Sequence, residues 1–422
     1  MAAHDHLPLS GFWTWDHSTN WGSDMTRVES GCRNRYPKMA ESFVEDYRHL
    51  MEFMAEKDLR YLIIWGLFRE THGGERAVHE LLAIARGYGV KVLPGVGVNA
   101  YGGFVFEGEH PWSLETWLRE HPELAAVRKN PMFRAHPSAC CTSIACPSKE
   151  ETIRWYEEGI RWLFRTFDVA GVNLETGDYG VCECATCRSR AQDRSREQRF
   201  SHQDIALALP PVIEAALDVR PDAVVTYATY SGFTTDMTGN PPPFVQTIPP
   251  EAICQWTLTD MPYPEPWSTD PSFHPPTARN TGYTHWGSQW ASVHTRYALV
   301  INHVKEMCSR SSAAGLEGVF MHGEASAHEQ FTARMNYEAL SYFRKHPDAT
   351  LEGFAHDRLA DAFGGPDPAA EALRWMTEPV RDPELSARRQ ACRKRRIAAE
   401  RKDQTTAGNW RNVEHLLLAR SL

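Results

Sequence analysis

Short β-rich runs alternate with longer stretches of helical spacing along most of the chain. Residues 11–16, 60–68, 91–99 and 170–175 combine branched or aromatic side chains with a polar or glycine-rich finish, so each predicts a strand. The second half adds 223–230, 252–260, 282–290 and 316–324, the seventh being short in apolar residues. Between them, Phe43, Tyr47, Leu50, Met51 and Met54 recur at the 3.6-residue period and mark one helical face. Similar faces come from 77–85, from Ile153, Tyr156, Ile160, Leu163 and Phe164, and from 297–307.

Strand-then-helix alternation over about 340 residues predicts a parallel sheet covered by helices. Eight such units favour a closed (β/α)8 barrel over an open doubly wound sheet. Gly95 and Gly97 lack the third glycine and following helix of a dinucleotide-binding turn. After the eighth strand, 327–343 reads as an amphipathic helix. Leu351, Phe354, Leu359 and Phe363 continue near-helical spacing, and the end of the chain is highly charged before the apolar Leu416, Leu417 and Leu418.

Composition narrows the classes. A chain of 422 residues exceeds what one hydrophobic core usually fills, which fits a large barrel with an appended piece. With 42% hydrophobic and 23% charged residues, neither disorder nor a fibrous repeat is indicated. The formal charge is -9, and 386–402 holds eight Lys/Arg against one Glu, so the remaining body is strongly acidic. That excludes a general nucleic-acid surface and makes the basic run a solvated helix. No apolar run is long enough to span a bilayer and residues 1–10 have no signal-type stretch, so the chain reads as soluble and cytoplasmic with no membrane partner. Oligomeric state is not legible.

In such barrels the chemistry sits where strands end and βα loops begin. Those ends carry Trp13, Trp15 and Asp16; Trp65; Asn99 and Tyr101; Glu175, Asp178 and Tyr179; Tyr227; Trp256 and Asp260; His285 and Trp286; and His322 and Glu324. Aromatic faces stack on the C–H faces of sugar rings, while Asp, Asn and His bind hydroxyls, so the mixture suits a carbohydrate substrate. Trp13, Trp15, Asp16, Trp65, Asn99, Tyr101, Tyr179, Tyr227, Trp256, Trp286 and His322 are the expected substrate contacts. No phosphate-binding loop or basic cluster is present at these ends.

Glycosidic cleavage uses two carboxyl groups, one protonating the leaving oxygen and the other activating water or attacking the anomeric carbon. Glu175 closes the apolar run Val172-Asn173-Leu174, and burial of this kind raises a carboxyl pKa toward that of a general acid. Asp178, Asp260 and Glu324 are the candidates for the second carboxylate. Retaining, inverting and substrate-assisted routes all stay open. Two other readings compete: a metal-dependent hydrolase or isomerase using His285, His322 and His328, and a non-catalytic sugar-binding barrel.

Cys182, Cys184 and Cys187 form C-x-C-x2-C, and the intervening helix and strand return the chain toward Cys146. Four thiolates make a closed tetrahedral zinc site, structural rather than catalytic. Free thiols and disulfides are the alternatives, and catalysis needs no cofactor.

The segment 172–187, VNLETGDYGVCECATC, resembles the fourth-strand segment of a bacterial group of glycoside-hydrolase-type barrel proteins, distantly related to the α-glucuronidase and β-hexosaminidase barrels. Two further anchors are Ala145-Cys146-Pro147-Ser148 and the stretch from Asn336-Tyr337 through His346-Pro347-Asp348 to Phe363-Gly364. The resemblance implies a (β/α)8 barrel with a sugar-processing site at Glu175. It also implies a boundary near 345, giving a catalytic barrel over 1–345 and a C-terminal helical region over 346–422. Leu174 stands where the β-hexosaminidases place Asp before Glu, and it separates Asn173 from Glu175. No substrate narrower than a glycoside is carried over.

Overall fold

Eight parallel strands close on themselves in sequence order in the computed structural model. They are β1 (Gly11–Trp15), β2 (Tyr61–Trp65), β3 (Lys91–Gly97), β4 (Gly171–Glu175), β5 (Val224–Ala228), β6 (Ile253–Thr259), β7 (Arg279–Thr284) and β8 (Val319–Gly323). Each pairs with its successor, and β8 returns to β1 with Trp13 opposite His322. The structure describes residues 6–15, 40–106, 108–127, 143–175, 182–190, 202–228, 246–259, 278–284, 287, 299–323, 325, 330–379 and 382–419.

Seven strands lie within their predicted runs, and β7 begins three residues before its run. The reason is chemical: its opening residues Arg279, Asn280 and Thr281 are polar. Asn280 accepts a hydrogen bond from the Trp256 indole (2.9 Å), so this strand carries no apolar signature.

Period-two alternation divides every strand between two environments. One parity, including Leu62, Ile64, Val92, Val172, Leu174, Val225 and Met321, shares a core with Phe43, Leu50, Leu81, Ile160 and Leu163 of the surrounding helices. Burying each such side chain contributes about 1.5–3 kcal/mol. The other parity faces the lumen, where Trp13, Ile63, Trp65, Leu93, Ile253, Tyr283 and Phe320 form a separate cluster. Gly95 belongs to this inner set. A Cβ there would lie 2.3 Å from the Trp65 ring, so only glycine lets that indole lie across the lumen.

The helices follow the apolar faces. Ala40–Glu56 buries Phe43, Tyr47, Leu50, Met51 and Met54 as expected. Glu150–Thr166 turns slightly from its expected face, burying Trp155 and Gly159 and leaving Ile153 half-buried. The helix expected from 297 starts at Ile301, where the Val300 amide donates to Asn336 Oδ1 (2.8 Å). Among the described residues no α-helix joins β5 to β6 or β6 to β7.

Beyond the closing helix Phe331–Phe343, further helices pack on the same core, with Phe343 against Phe354 (5.4 Å) and Trp410 between Phe363 and Trp375. Arg344 is buried and reaches the Asp58 carbonyl and carboxylate, and Lys345 Nζ lies 2.6 Å from the same carboxylate. The basic run lies on the helix Asp382–Glu400. There Arg393 pairs with Glu414 (2.8 Å), and Arg395 sits 5.1 Å over the Trp410 ring while bonded to Glu371. No helix among the described residues is long and apolar enough to cross a membrane.

Candidate active site at the barrel mouth

The lumen is polar as well as aromatic at its C-terminal end. Trp65 Nε1–H donates to Asn173 Oδ1 (2.9 Å), and Asn173 Nδ2 donates to Thr226 Oγ1 (2.8 Å) and Gln255 Oε1 (3.1 Å). One buried amide thus ties β2, β4, β5 and β6 together across the barrel. Buried polar groups are retained at a cost unless fully bonded, and this network satisfies the asparagine with three partners. It fixes the Trp65 ring in orientation.

Glu175 stands two residues beyond Asn173 on the same strand and so has the same lumen-facing parity at the mouth, where it is 1% exposed. Its neighbour on β3 is Gly97, and the Val98 amide donates to the Glu175 carbonyl (2.7 Å).

In the lumen the aromatic residues form a continuous set. Trp13 lies 6.0 Å from Trp65, 5.1 Å from Tyr283 and 5.5 Å from His322. Trp65 meets Tyr101 (5.7 Å) and Phe106 (5.8 Å) edge-on, and the buried Arg69 guanidinium sits 5.8 Å over Phe106.

The β3 loop is held in a conformation that ordinary residues avoid. Asn99 and Tyr101 have φ of 68° and 50°, in the left-handed region, followed by Gly102 and Gly103 at positive φ. Such strain persists only where surroundings over-determine it. Here Tyr156 supplies the constraint from the helix behind: its hydroxyl accepts from the Asn99 amide (2.7 Å) and donates to the Gly97 carbonyl (2.9 Å). Burial pushes the Tyr156 phenol far above its ordinary pKa, so it stays protonated and keeps that donor. The buried Asn99 Oδ1 has no hydrogen-bond partner among the described residues.

Of the expected substrate contacts, Trp13, Trp65, Tyr101 and His322 join one ring cluster in the lumen, while Asn99 lies on the loop just after Gly97, the strand neighbour of Glu175. Tyr227 and Trp256 do not. They have the opposite parity to Thr226 and Gln255 and pack in the outer core, Trp256 on Asn280 and Tyr227 beside Cys254, where burial raises both the phenol and the thiol. A strand-end aromatic is an equally good fit to either face, and a one-residue difference decides it. Trp15 ends β1, and its side chain lies outside the described residues, as do Asp16, Asp178, Tyr179, Asp260, His285, Trp286, Glu324 and His328.

The lumen residues Asn173, Thr226, Gln255, Tyr283, Phe106 and Arg69 escaped the sequence reading. For Asn173 the signal was present, two residues before Glu175 and hence on its face. Arg69 and Phe106 lie on loops, where no period reveals orientation.

Cys146, Cys182, Cys184 and Cys187 are brought together beside this mouth, all four sulfurs within 4.8 Å of one another. Burial opposes ionisation of the Cys184 thiol, but the Cys187 amide and the neighbouring thiols outweigh it and bring that group down to about 7. Among the described residues this is the group of metal-ligand type that the fold assembles.

No family model matches the chain, and no curated protein matches its sequence. Among solved structures, it is similar to a variant of the O-GlcNAc hydrolase of Thermobaculum terrenum, with a TM-score of 0.51 at 10% identity over 90% of this chain and 79% of that one. The β-N-acetylhexosaminidase of Bacteroides fragilis aligns with a TM-score of 0.45 at 12% identity, over 92% of this chain and 72% of the other. Both are glycoside hydrolases by name, and at 10% identity the likeness to the first shows the barrel fold alone.

Proposed function

We propose that this chain is a glycoside hydrolase acting on a carbohydrate held at the C-terminal mouth of the barrel, with Glu175 as its acid. The observation that carries the reading is Glu175 itself. It is a carboxyl buried at the lumen end of β4, one pleat above an asparagine that locks the Trp65 ring in place. Trp13, Trp65 and Tyr101 offer faces and edges of the kind that pack against sugar C–H groups, and Asn99 Oδ1 offers an acceptor for a hydroxyl. The shared barrel of the glycoside hydrolase neighbours supports the same reading.

In the reaction Glu175 gives its proton to the glycosidic oxygen as the bond to the anomeric carbon breaks, and a second carboxylate activates water or forms the covalent intermediate. Asp178, Asp260 and Glu324 follow strands β4, β6 and β8 in the chain and are the candidates for that role.

Incubation with a panel of nitrophenyl hexosaminides, hexosides and hexuronides tests the proposal, with Glu175→Gln as the matched control. Turnover of at least one member that falls about 10²-fold or more in the variant, with sugar binding retained, is the expected result. Hydrolysis that survives Glu175→Gln unchanged would move the acid elsewhere. Sugar binding without turnover anywhere in the panel would favour a binding barrel.

A further inference from the structure

The geometry points to a closed structural zinc site formed by Cys146, Cys182, Cys184 and Cys187, clamping the connections that follow β3 and β4 at the rim of the mouth. Zinc bound by four thiolates at about 2.3 Å sits at the centre of a tetrahedron whose edges are about 3.8 Å. The Cys146 sulfur lies 3.7 Å from that of Cys187 and 3.9 Å from that of Cys184. These separations match the tetrahedron and exceed the roughly 2.05 Å of a disulfide. With all four sulfurs inside 4.8 Å, the set is also tighter than a multi-iron cluster requires.

The surroundings are those of bound thiolates. The Val127 amide donates to Cys182 Sγ (3.3 Å) and the Cys187 amide to Cys184 Sγ (3.4 Å). Ser148 Oγ lies 2.9 Å from Cys187 Sγ, and Arg190 bonds both that serine (2.8 Å) and the same sulfur (3.5 Å). Outer hydrogen bonds of this kind orient ligands and stabilise their charge. Four thiols binding Zn²⁺ release four protons and leave a net charge of -2. The Arg190 guanidinium beside it is itself paired with Asp204 (3.0 Å), so it acts as a hydrogen-bond donor to the sulfur and not as a free counter-charge. All four positions are filled by protein, so the ion has no open site for chemistry.

Its consequence is mechanical. Six residues separate Glu175 from Cys182, so a metal at Cys182 would fix the chain a short distance beyond the end of β4. Cys146 follows Ala145, whose amide donates to the Asn99 carbonyl (2.9 Å), so the clamp also reaches the left-handed β3 loop.

Metal analysis of the full chain, purified under reducing conditions and equilibrated with Zn²⁺, is the test. About one zinc per chain should survive gel filtration, and the four thiols should resist a thiol reagent until a mercurial displaces the metal. Replacement with Co²⁺ should give the intense visible bands and thiolate charge transfer of tetrahedral S4 cobalt, altered in Cys184→Ser. Less than about a tenth of an equivalent of zinc, or Co²⁺ spectra of octahedral oxygen ligation, would overturn the site. These readouts are of the metal, so either result leaves the assignment of Glu175 to be judged separately.

Discussion

The two faces of one sheet contrast sharply. Outside, Leu62, Ile64, Val172, Leu174 and Met321 meet the helices through apolar contact alone. Inside, within a few ångströms, the same strands present Trp13, Trp65, Asn173, Glu175, Thr226, Gln255, Tyr283 and His322. The outer face is what a fold needs for stability. The inner face carries buried donors, acceptors and a carboxyl, which cost free energy to desolvate and which an apolar filling would avoid. That difference is the ground on which we propose the lumen as the working surface, with parity, more than residue type, separating a proposed substrate contact from a packing residue.

Substitution of neighbours with opposite parity should separate the two roles, and the largest effect is expected where the lumen is most tightly filled. Gly95→Ala places a methyl 2.3 Å from the Trp65 ring and should destabilise the protein by about 3 kcal/mol or more in denaturant titration. Gly87→Ala, with nothing near its added methyl, should be neutral or stabilise by about 0.5–1 kcal/mol. An unchanged Gly95→Ala protein would show that the indole does not lie across that strand.

Leu174→Ala should cost about 2–5 kcal/mol while leaving turnover of the folded enzyme unaltered. Asn173→Leu strands the Trp65 N–H and loses two further hydrogen bonds, for about 1–3 kcal/mol, and should depress turnover beyond its effect on stability. Equal kinetic effects of the two would erase the distinction between the faces.

A pH effect comes next. Burial lowers the His303 pKa from 6.5 to about 4, with Thr284 Oγ1 3.4 Å from its ring. The unfolded chain therefore binds the extra proton between those values, so stability is unaffected above about 6.5 and falls as the pH drops toward 4, by on the order of 2–3 kcal/mol. His303→Gln should flatten that slope in thermal melts, and a slope left unaltered would assign it to another group. The smallest change is Tyr156→Phe, which removes both hydrogen bonds to the β3 loop. It should cost about 1 kcal/mol and raise KM more than it lowers kcat. A variant with unchanged KM would mean that the loop holds its shape without the phenol.

Much of this was legible beforehand. Periodicity sufficed for the closed barrel because the outer face of nearly every strand is apolar, and β7 was misplaced because its outer positions are Asn280 and Gly282. The helix His202–Val219 gave little signal, since Pro210 and Pro211 interrupt its interior. Cysteine spacing picked out Cys182, Cys184 and Cys187 because they are local, and the return of the chain through one helix and β4 supplied Cys146. The lumen was only half readable: strand ends are visible in sequence, but which of two adjacent aromatics turns inward depends on register, and Tyr227 and Trp256 turn outward. The hydrogen bonds centred on Asn173 join residues up to 108 positions apart, which no local pattern reveals.

The most direct test of the central claim is a crystal structure of Glu175→Gln soaked with the best-turned-over glycoside of the panel. Sugar density at the strand-end mouth, packed on Trp13, Trp65 or Tyr101 with the residue 175 amide within about 3 Å of the glycosidic oxygen, is the predicted result. A sugar bound elsewhere, or bound at the mouth with residue 175 out of reach of the anomeric centre, would contradict the assignment of Glu175 as the acid.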